Sequence, residues 1–377
     1  FIDNSCFFRP GKGRDAMDIN ELRDILNGYF GWNKARMTCF VSMLMALYKV
    51  RTINLTELAC GFLSNATIAS RYKRIKRFFK DFEIDFSLVA SWVIQFFGLT
   101  NQQLYLSMDR TNWQWGKKNI NILMLSITYK GIAIPLFWSL LDKKGNSNTK
   151  ERIAIMERFI MQFGKDKISG LLADREFIGS DWFAWLKKER IHFVIRIKKN
   201  LLTTDSRGRE VRVEALFRGL KPTEERILWS SRDLMGAVVY LSALKMSDGE
   251  LFIVATDELS AFAIKKYGLR WEIETLFGCL KSKGFNFEDT HITKPERIEK
   301  LLVLLTIAFC WAHKTGEWKH EQKPIEIKKH GRKAVSYFRY GLDVLRDIIL
   351  NGVQKAADSL GHIVGFLNIN VLKRVTI

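Results

Sequence analysis

The sequence predicts a mixed α/β protein in which helical regions flank a sheet-forming core. Three observations predict it. Residues 18–98 carry apolar side chains at helical spacing. From residue 104 the pattern changes to β-rich apolar runs broken by turn residues. Strand, hairpin, helix, strand, helix and strand then follow one another up to residue 200, which is the order of a mixed sheet and not of a helical bundle.

The N-terminal elements come first. "DINELRDILNGYF" (18–30) places Asp18 at an N-cap ahead of helically spaced apolar residues. "KARMTCFVSMLMALYKV" (34–50) reads as a more buried helix. "LTELACGFLS" (55–64) and "ATIASRYKRIKRFFKDF" (66–82) read as two short helices joined by a turn at Ser64-Asn65. The second interleaves Arg71, Lys73, Arg74, Lys76, Arg77 and Lys80 with Tyr72, Ile75, Phe78 and Phe79. A solvated cationic face is the ordinary reading of such a run. Six cations with no acid before Asp81, in a chain already strongly basic, favour phosphate contact instead.

In the core, "LYLSMDRTNW" (104–113) and "INILMLSITYKGIAIPLFWSLL" (120–141) are strands, with a hairpin turn at Tyr129-Lys130-Gly131. "ERIAIMERFIMQFG" is a helix, and "ISGLLADREFI" is a short apolar strand ending in polar residues. "SDWFAWLKKERI" is a helix capped by Ser180, and "HFVIRIKKN" is a strand. Residues 201–250 are charged and turn-rich, with strand-like pieces such as "AVVYLSALKM". "LFIVATD" (251–257) is one more strand before the helix "YGLRWEIETLFGCLKSKG" (267–284). The remainder holds a buried helix at 296–313, a basic segment "KPIEIKKHGRKAVSYFRY" and an amphipathic "LDVLRDIIL".

Bulk properties bound the function. At 377 residues the chain can build a large core in two or three domains, and 47% hydrophobic content with 5 prolines argues for folded structure. Lys and Arg total 60 against 40 acids, a net charge of +20. Such an excess repels itself unless an anionic partner relieves it, and nucleic acid is the usual one. A membrane surface is the alternative, but the longest apolar run, 301–312, is too short to span a bilayer. Cys6, Cys39, Cys60, Cys279 and Cys310 are scattered without metal-ligand spacing, a pattern that suits reduced thiols in a cytosol. No secretory signal is visible. Residues 1–16 read as sequence ahead of a natural start at Met17.

Three acids sit where a site would need them. Asp109 follows the strand "LYLSM" and Asp174 follows "ISGLLA". Glu274 lies on the 267–284 helix. At about 100° per residue, Tyr267, Arg270, Glu274 and Lys281 share one stripe roughly 60° wide, apart from the apolar stripe of Leu269, Ile273, Leu276 and Leu280. A carboxylate emerging from a buried strand is costly unless a cation compensates it. Three together make an oxygen-rich cage for a hard divalent ion, Mg²⁺ or Mn²⁺. The plainer alternative pairs each acid with a neighbour: Asp109 with Arg110, Asp174 with Arg175, Glu274 with Arg270.

These residues resemble the DDE triad of ribonuclease-H-like transposases. "LLADREF" is similar to the second-Asp motif of bacterial insertion-sequence transposases of the IS-four group. Tyr267, Arg270, Glu274 and Lys281 match that group's Y-x2-R-x3-E-x6-K signature in spacing and identity. The resemblance covers roughly residues 20–350 and is weakest in the N-terminal helices. It implies a ribonuclease-H-like catalytic core with a β-rich insertion, flanked by an N-terminal helical DNA-binding domain and a C-terminal helical region. The expected boundaries are 17–100, 101–200, 201–256 for the insertion and its strand, 257–295 for the catalytic helix, and 296–377.

The resemblance further implies that Asp109, Asp174 and Glu274 bind two Mg²⁺ ions, with Mn²⁺ as a substitute. One ion activates water or a 3′-hydroxyl and the other stabilises the leaving oxygen. Arg270 and Lys281 would hold phosphates, with Tyr267 adding a hydroxyl contact. Arg71, Arg74, Arg77 and Arg175 are further candidates for DNA contact. Relatives that excise through a DNA hairpin carry a Trp on the strand before the signature helix, where it stacks a flipped base; here that position is Phe252, and Trp229 is the other candidate. For both, a core role stands as an equal alternative. Trp113 and Trp115 are open between a wedge into DNA and packing against the sheet. No histidine is assigned as a ligand. The expected partners are double-stranded DNA, as transposon ends and target, and a second copy of the chain in a synaptic complex, in a bacterial cytoplasm at the nucleoid. A nuclease without strand transfer and a domesticated, inactive DNA-binding protein are the rival readings.

Overall fold

Residues 19–329, 331–351 and 363–368 are described by the computed structural model. The expectations for residues 1–16 and for Asp18 as an N-cap lie outside them. In chain order the helices begin with α1 (Ile19–Phe30), α2 (Lys34–Val50), α3 (Leu55–Gly61), α4 (Ile68–Asp81) and α5 (Phe86–Phe96). The core follows as β1 (Leu104–Trp115), β2 (Lys118–Tyr129), β3 (Ile132–Leu140), α6 (Thr149–Phe163), β4 (Ile168–Ala173), α7 (Ser180–Lys188) and β5 (Phe193–Arg196). Next are β6 (Leu202–Thr204), β7 (Glu210–Arg212), β8 (Glu225–Ile227), β9 (Arg232–Leu234), β10 (Ala237–Lys245) and β11 (Leu251–Thr256). The chain continues through α8 (Ala263–Tyr267), α9 (Trp271–Leu280), α10 (Pro295–Gln322) and α11 (Tyr337–Asn351).

The chain divides into two compact units. One runs to Ile84 and adds Leu280–His291 and the chain from Lys300 onward; the other comprises Asp85–Cys279 and Ile292–Glu299. In the first unit, side-chain caps start the helices: Asn33 for α2, Asn54 for α3 and Thr67 for α4 each accept a backbone N–H of the first turn. The α2 helix is apolar nearly all round and correspondingly buried, and its Tyr48 hydroxyl donates to the Ala308 carbonyl at 2.7 Å. Two glycines let α10 and α11 cross in backbone contact. A Cβ on Gly316 would lie 1.8 Å from the Tyr337 carbonyl oxygen, and one on Gly341 would lie 1.8 Å from that of Ala312.

The second unit is built on a nine-stranded mixed sheet in the order β3-β2-β1-β4-β5-β11-β10-β8, with β9 paired to β10. The β1–β2 and β2–β3 pairs are antiparallel hairpins, whereas β1 is parallel to β4 and β4 to β5. Their near-continuous apolar sequences suit strands covered on both faces. This is the mixed α/β class that the sequence predicts. A capping box of Asn148 and Glu151 starts α6. The α7 helix departs from expectation, because Ser180 is its first helical residue and Gly179 precedes it with no side-chain cap. The residue 225–256 strands join the main sheet: β11 pairs antiparallel with β5, and β10 and β8 follow outward.

The 267–284 segment is not one helix. Tyr267 ends α8, Gly268–Arg270 form a 3₁₀ turn, α9 stops at Leu280, and Lys281 lies just beyond it. Gly268, a poor helix former, sits at the tightened point. The backbone stays right-handed through the link, and the tighter winding of its three 3₁₀ residues shifts Tyr267 relative to Glu274 by up to about 60°. The buried helix expected at 296–313 extends from Pro295 to Gln322.

Candidate active site

Register places the first two acids together. The β1–β4 pairing runs to Met108 opposite Ala173, so Asp109, within β1, and Asp174, the first residue after β4, each stand one residue beyond the last pair. Strand β4 ends at Ala173, and Asp174 opens the following turn, where its Oδ1 accepts the Glu176 N–H at 2.9 Å. Asp109 is held tightly. Its Oδ1 accepts the Arg110 backbone N–H at 2.7 Å and its Oδ2 accepts Arg270 Nη1 at 3.0 Å. The second Arg270 nitrogen, Nη2, binds Glu274 Oε1 across one helical turn. Arg270 therefore bridges an acid of the sheet and an acid of α9.

Burial governs the electrostatics here. It pushes the Asp109 carboxyl from 3.8 up to about 7, opposed by Arg270 and reinforced by Asp174 and Glu176. Burial also raises the Tyr267 phenol, again opposed by Arg270. Tyr267 is 1% exposed, and its hydroxyl has no hydrogen-bond partner among the described residues. Its ring packs with Leu172, Val194, Phe252, Val254 and Ala263, while the Arg270 guanidinium lies 5.6 Å from the ring centre. Tyr267 therefore supports Arg270 from the core, and its hydroxyl is not presented for the DNA contact expected of it.

The other expected site residues divide. Phe252 is 5% exposed, edge-on to Tyr267 at 5.1 Å and faced by Arg196 at 4.7 Å, so its ring is core. Trp229 is 70% exposed. Arg175 is exposed in the turn after β4. Lys281 belongs to the other compact unit and pairs with Glu288 at 2.7 Å. On α4, Arg71 bonds the carbonyls of Ala59, Ser64 and Ala66, and Arg74 bonds that of Ala35, whereas Arg77 is exposed. Trp113 is half-buried and Trp115 is exposed.

Sequence reasoning missed several supporting residues. Arg110 does not pair its side chain with Asp109; it grips Glu176 through Nε at 2.5 Å and Nη2 at 2.8 Å. Arg152, 4% exposed, bonds Ser147 Oγ and the carbonyls of Ser147, Glu176 and Ile178. Both arginines thereby fix the turn that follows Asp174. A signal existed, since an Arg directly after the first acid and a Glu two places after the second are complementary. Glu272, the third such residue, faces away from the stripe.

A family model described as a transposase DDE domain matches residues 101–311. The chain belongs to that family. Among solved structures it is similar to a piggyBac transposase synaptic complex with hairpin DNA determined by cryo-EM. That match has 11% identity and a TM-score of 0.45, and it covers 93% of this chain and 82% of that one. A likeness at that level carries no argument about this chain's chemistry. No curated protein matches the chain.

DDE transposases generally use divalent metal ions. The donor chemistry of Asp109, Asp174 and Glu274, all carboxylate oxygen, suits a hard divalent cation. Among the described residues, however, no three His, Cys, Asp or Glu side chains converge closely enough to share an ion. The guanidinium of Arg270 takes the position between Asp109 and Glu274 and supplies the positive charge there. Among the described residues, no helix is long and apolar enough to cross a membrane.

Proposed function

We propose that this transposase belongs to the IS-four group, binds the ends of an insertion sequence, cleaves them and joins the freed 3′-ends to target DNA. The observation that supports this reading is the placement of Asp109 beside Asp174, with Arg270 joining Asp109 to Glu274. These three acids would hold Mg²⁺, or Mn²⁺ in its place, which when bound activates a water or 3′-hydroxyl and stabilises the leaving oxygen.

The chain's own residues do the remaining work. Arg270 presents a planar guanidinium, the group best matched to a phosphate. A phosphate of the bound end competes with Asp109 and Glu274 for that guanidinium, so end binding and release of the two carboxylates go together. Exposed Arg175 and Arg77 add phosphate contacts, as does Lys281, and exposed Trp229 is the aromatic able to stack a base on a hairpin route of excision. The active form is a homodimer, because two ends must be held and cut together.

The test uses purified protein, Mg²⁺ and a labelled duplex carrying the element's own end, resolved on a denaturing gel. Nicks at the end followed by hairpin or joined products, absent with Asp174→Ala and Glu274→Ala, are expected. Nicks never followed by joining would make the protein a nuclease. Tight binding without metal-dependent cleavage would refute the proposal.

A further inference from the structure

The tip of the β2–β3 hairpin is tied to the helix that carries Glu274. Lys130 and Gly131 both have left-handed backbone, with φ of 50° and 92°, as a two-residue hairpin turn of the I′ type requires. The Tyr129 N–H donates to Glu272 Oε2 at 2.7 Å and the Gly131 N–H to Glu272 Oε1 at 2.9 Å. Both oxygens of one carboxylate are thus committed to one turn. Glu272 is 7% exposed and is held by these backbone groups, and among the described residues no cation pairs with it. A carboxylate taken out of water is costly unless charge-assisted hydrogen bonds replace its hydration. An acid serving only solubility would face outward.

Its position gives the reason. Glu272 is the second residue of α9, two after Arg270 and two before Glu274. The apolar face of α9, with Ile273 and Leu276 fully buried, packs the helix down, and the Glu272 contact adds a directional hold at its first turn. A roll of about 20° moves a side-chain tip on the order of 2 Å, given the helix radius. A misplacement of ~1 Å can already cost about 100-fold in rate. We infer that Glu272 is a positioning residue: its grip on the β2–β3 turn sets the roll of α9, so that Arg270 and Glu274 meet Asp109. The reaction it serves is that of the proposed function; the clamp itself is independent of it.

The test compares Glu272→Gln and Glu272→Ala with the parent in the full chain. Gln keeps one acceptor oxygen and turns an NH₂ toward the other N–H, so it should fall between the parent and Ala. Turnover on the labelled DNA end should drop about 100-fold in Ala and less in Gln, with end affinity changed by less than about 2-fold, the split expected of lost positioning. Combined with Arg270→Lys, the turnover losses should be less than additive, because Glu272 acts through Arg270. Hydrogen exchange supplies a readout that needs no activity, with faster exchange expected at residues 129–131 and 270–276 in both variants. Unchanged exchange there overturns the clamp whether or not the protein cuts DNA, and faster exchange with unchanged turnover overturns the positioning role. A parent that fails to cut refutes the proposed function instead. If Ala fails to fold, Gln alone decides.

Discussion

Replacing Asp109 by Asn tests whether the first acid of the site is held against its own surroundings. Its side chain is 14% exposed, and burial with Asp174 and Glu176 nearby pushes its carboxyl from 3.8 up to about 7 in spite of Arg270. In the unfolded chain the ordinary value of about 3.9 returns. The folded value is the higher one, so the folded chain binds more protons across this window. Stability from this group therefore falls as pH rises from about 4 to about 7. At about 1.4 kcal/mol for each tenfold change in proton affinity, the ionised carboxylate works against folding by ~4 kcal/mol at pH 8. Asn keeps the shape and removes the charge. It also leaves Arg270 with Glu274 as its remaining carboxylate partner, which returns on the order of 1–3 kcal/mol. Asp109→Asn should therefore be more stable than the parent by about 1–3 kcal/mol at pH 8, with the advantage gone or reversed at pH 5, and inactive in cleavage at both. Urea denaturation at the two pH values reads this directly. An equal difference in midpoint at pH 5 and pH 8 would refute the reasoning.

Three further expectations concern separate parts of the molecule. Arg152→Met should lower stability by about 3 kcal/mol or more, because it orphans the buried carbonyl of Ser147 and the half-buried carbonyls of Glu176 and Ile178; a change below ~1 kcal/mol in urea denaturation would show that the turn after Asp174 holds without it. Gly316→Ala should destabilise by more than the usual ~1–3 kcal/mol of overpacking, since the new methyl lies 1.8 Å from the Tyr337 carbonyl oxygen and only backbone movement relieves it. A melting temperature equal to the parent's would contradict the close crossing of α10 and α11. Neutralising exposed Arg77 and Lys80 together should reduce the slope of log affinity for DNA against log salt by about 2. A slope that does not move would remove α4 from the DNA contact.

Much of the fold was legible because its elements are long and their patterns unmixed. The β2 run of eight buried residues from Ile120 and the Lys130-Gly131 turn could be read directly. Asp109 and Asp174 could each be picked out as an acid following an apolar run, but the strand order that makes β1 and β4 neighbours could not. What sequence periodicity could not show was burial along the 267–281 stripe. A helical wheel puts Tyr267, Arg270, Glu274 and Lys281 on one face, but it does not say what covers that face. Tyr267 lies against β4, β5 and β11, whereas Glu274 remains 55% exposed at its side chain. Arg71 was misleading for a related reason. In a run of cations, nothing local distinguishes a guanidinium that reaches solvent from one that bends back to a carbonyl of α3 and two of the following loop.

The ion pair between Asp109 and Arg270 joins residues 161 apart in the chain. Such a contact closes late on a ribosome, which releases the N-terminal part of the sheet well before α9 emerges from the exit tunnel. A nascent or prematurely terminated chain that stops before Arg270 carries Asp109 and Asp174 and lacks both Arg270 and Glu274. Under the proposed function, the order of the sequence thus delays competence to cut DNA until Arg270 and Glu274 have both been made.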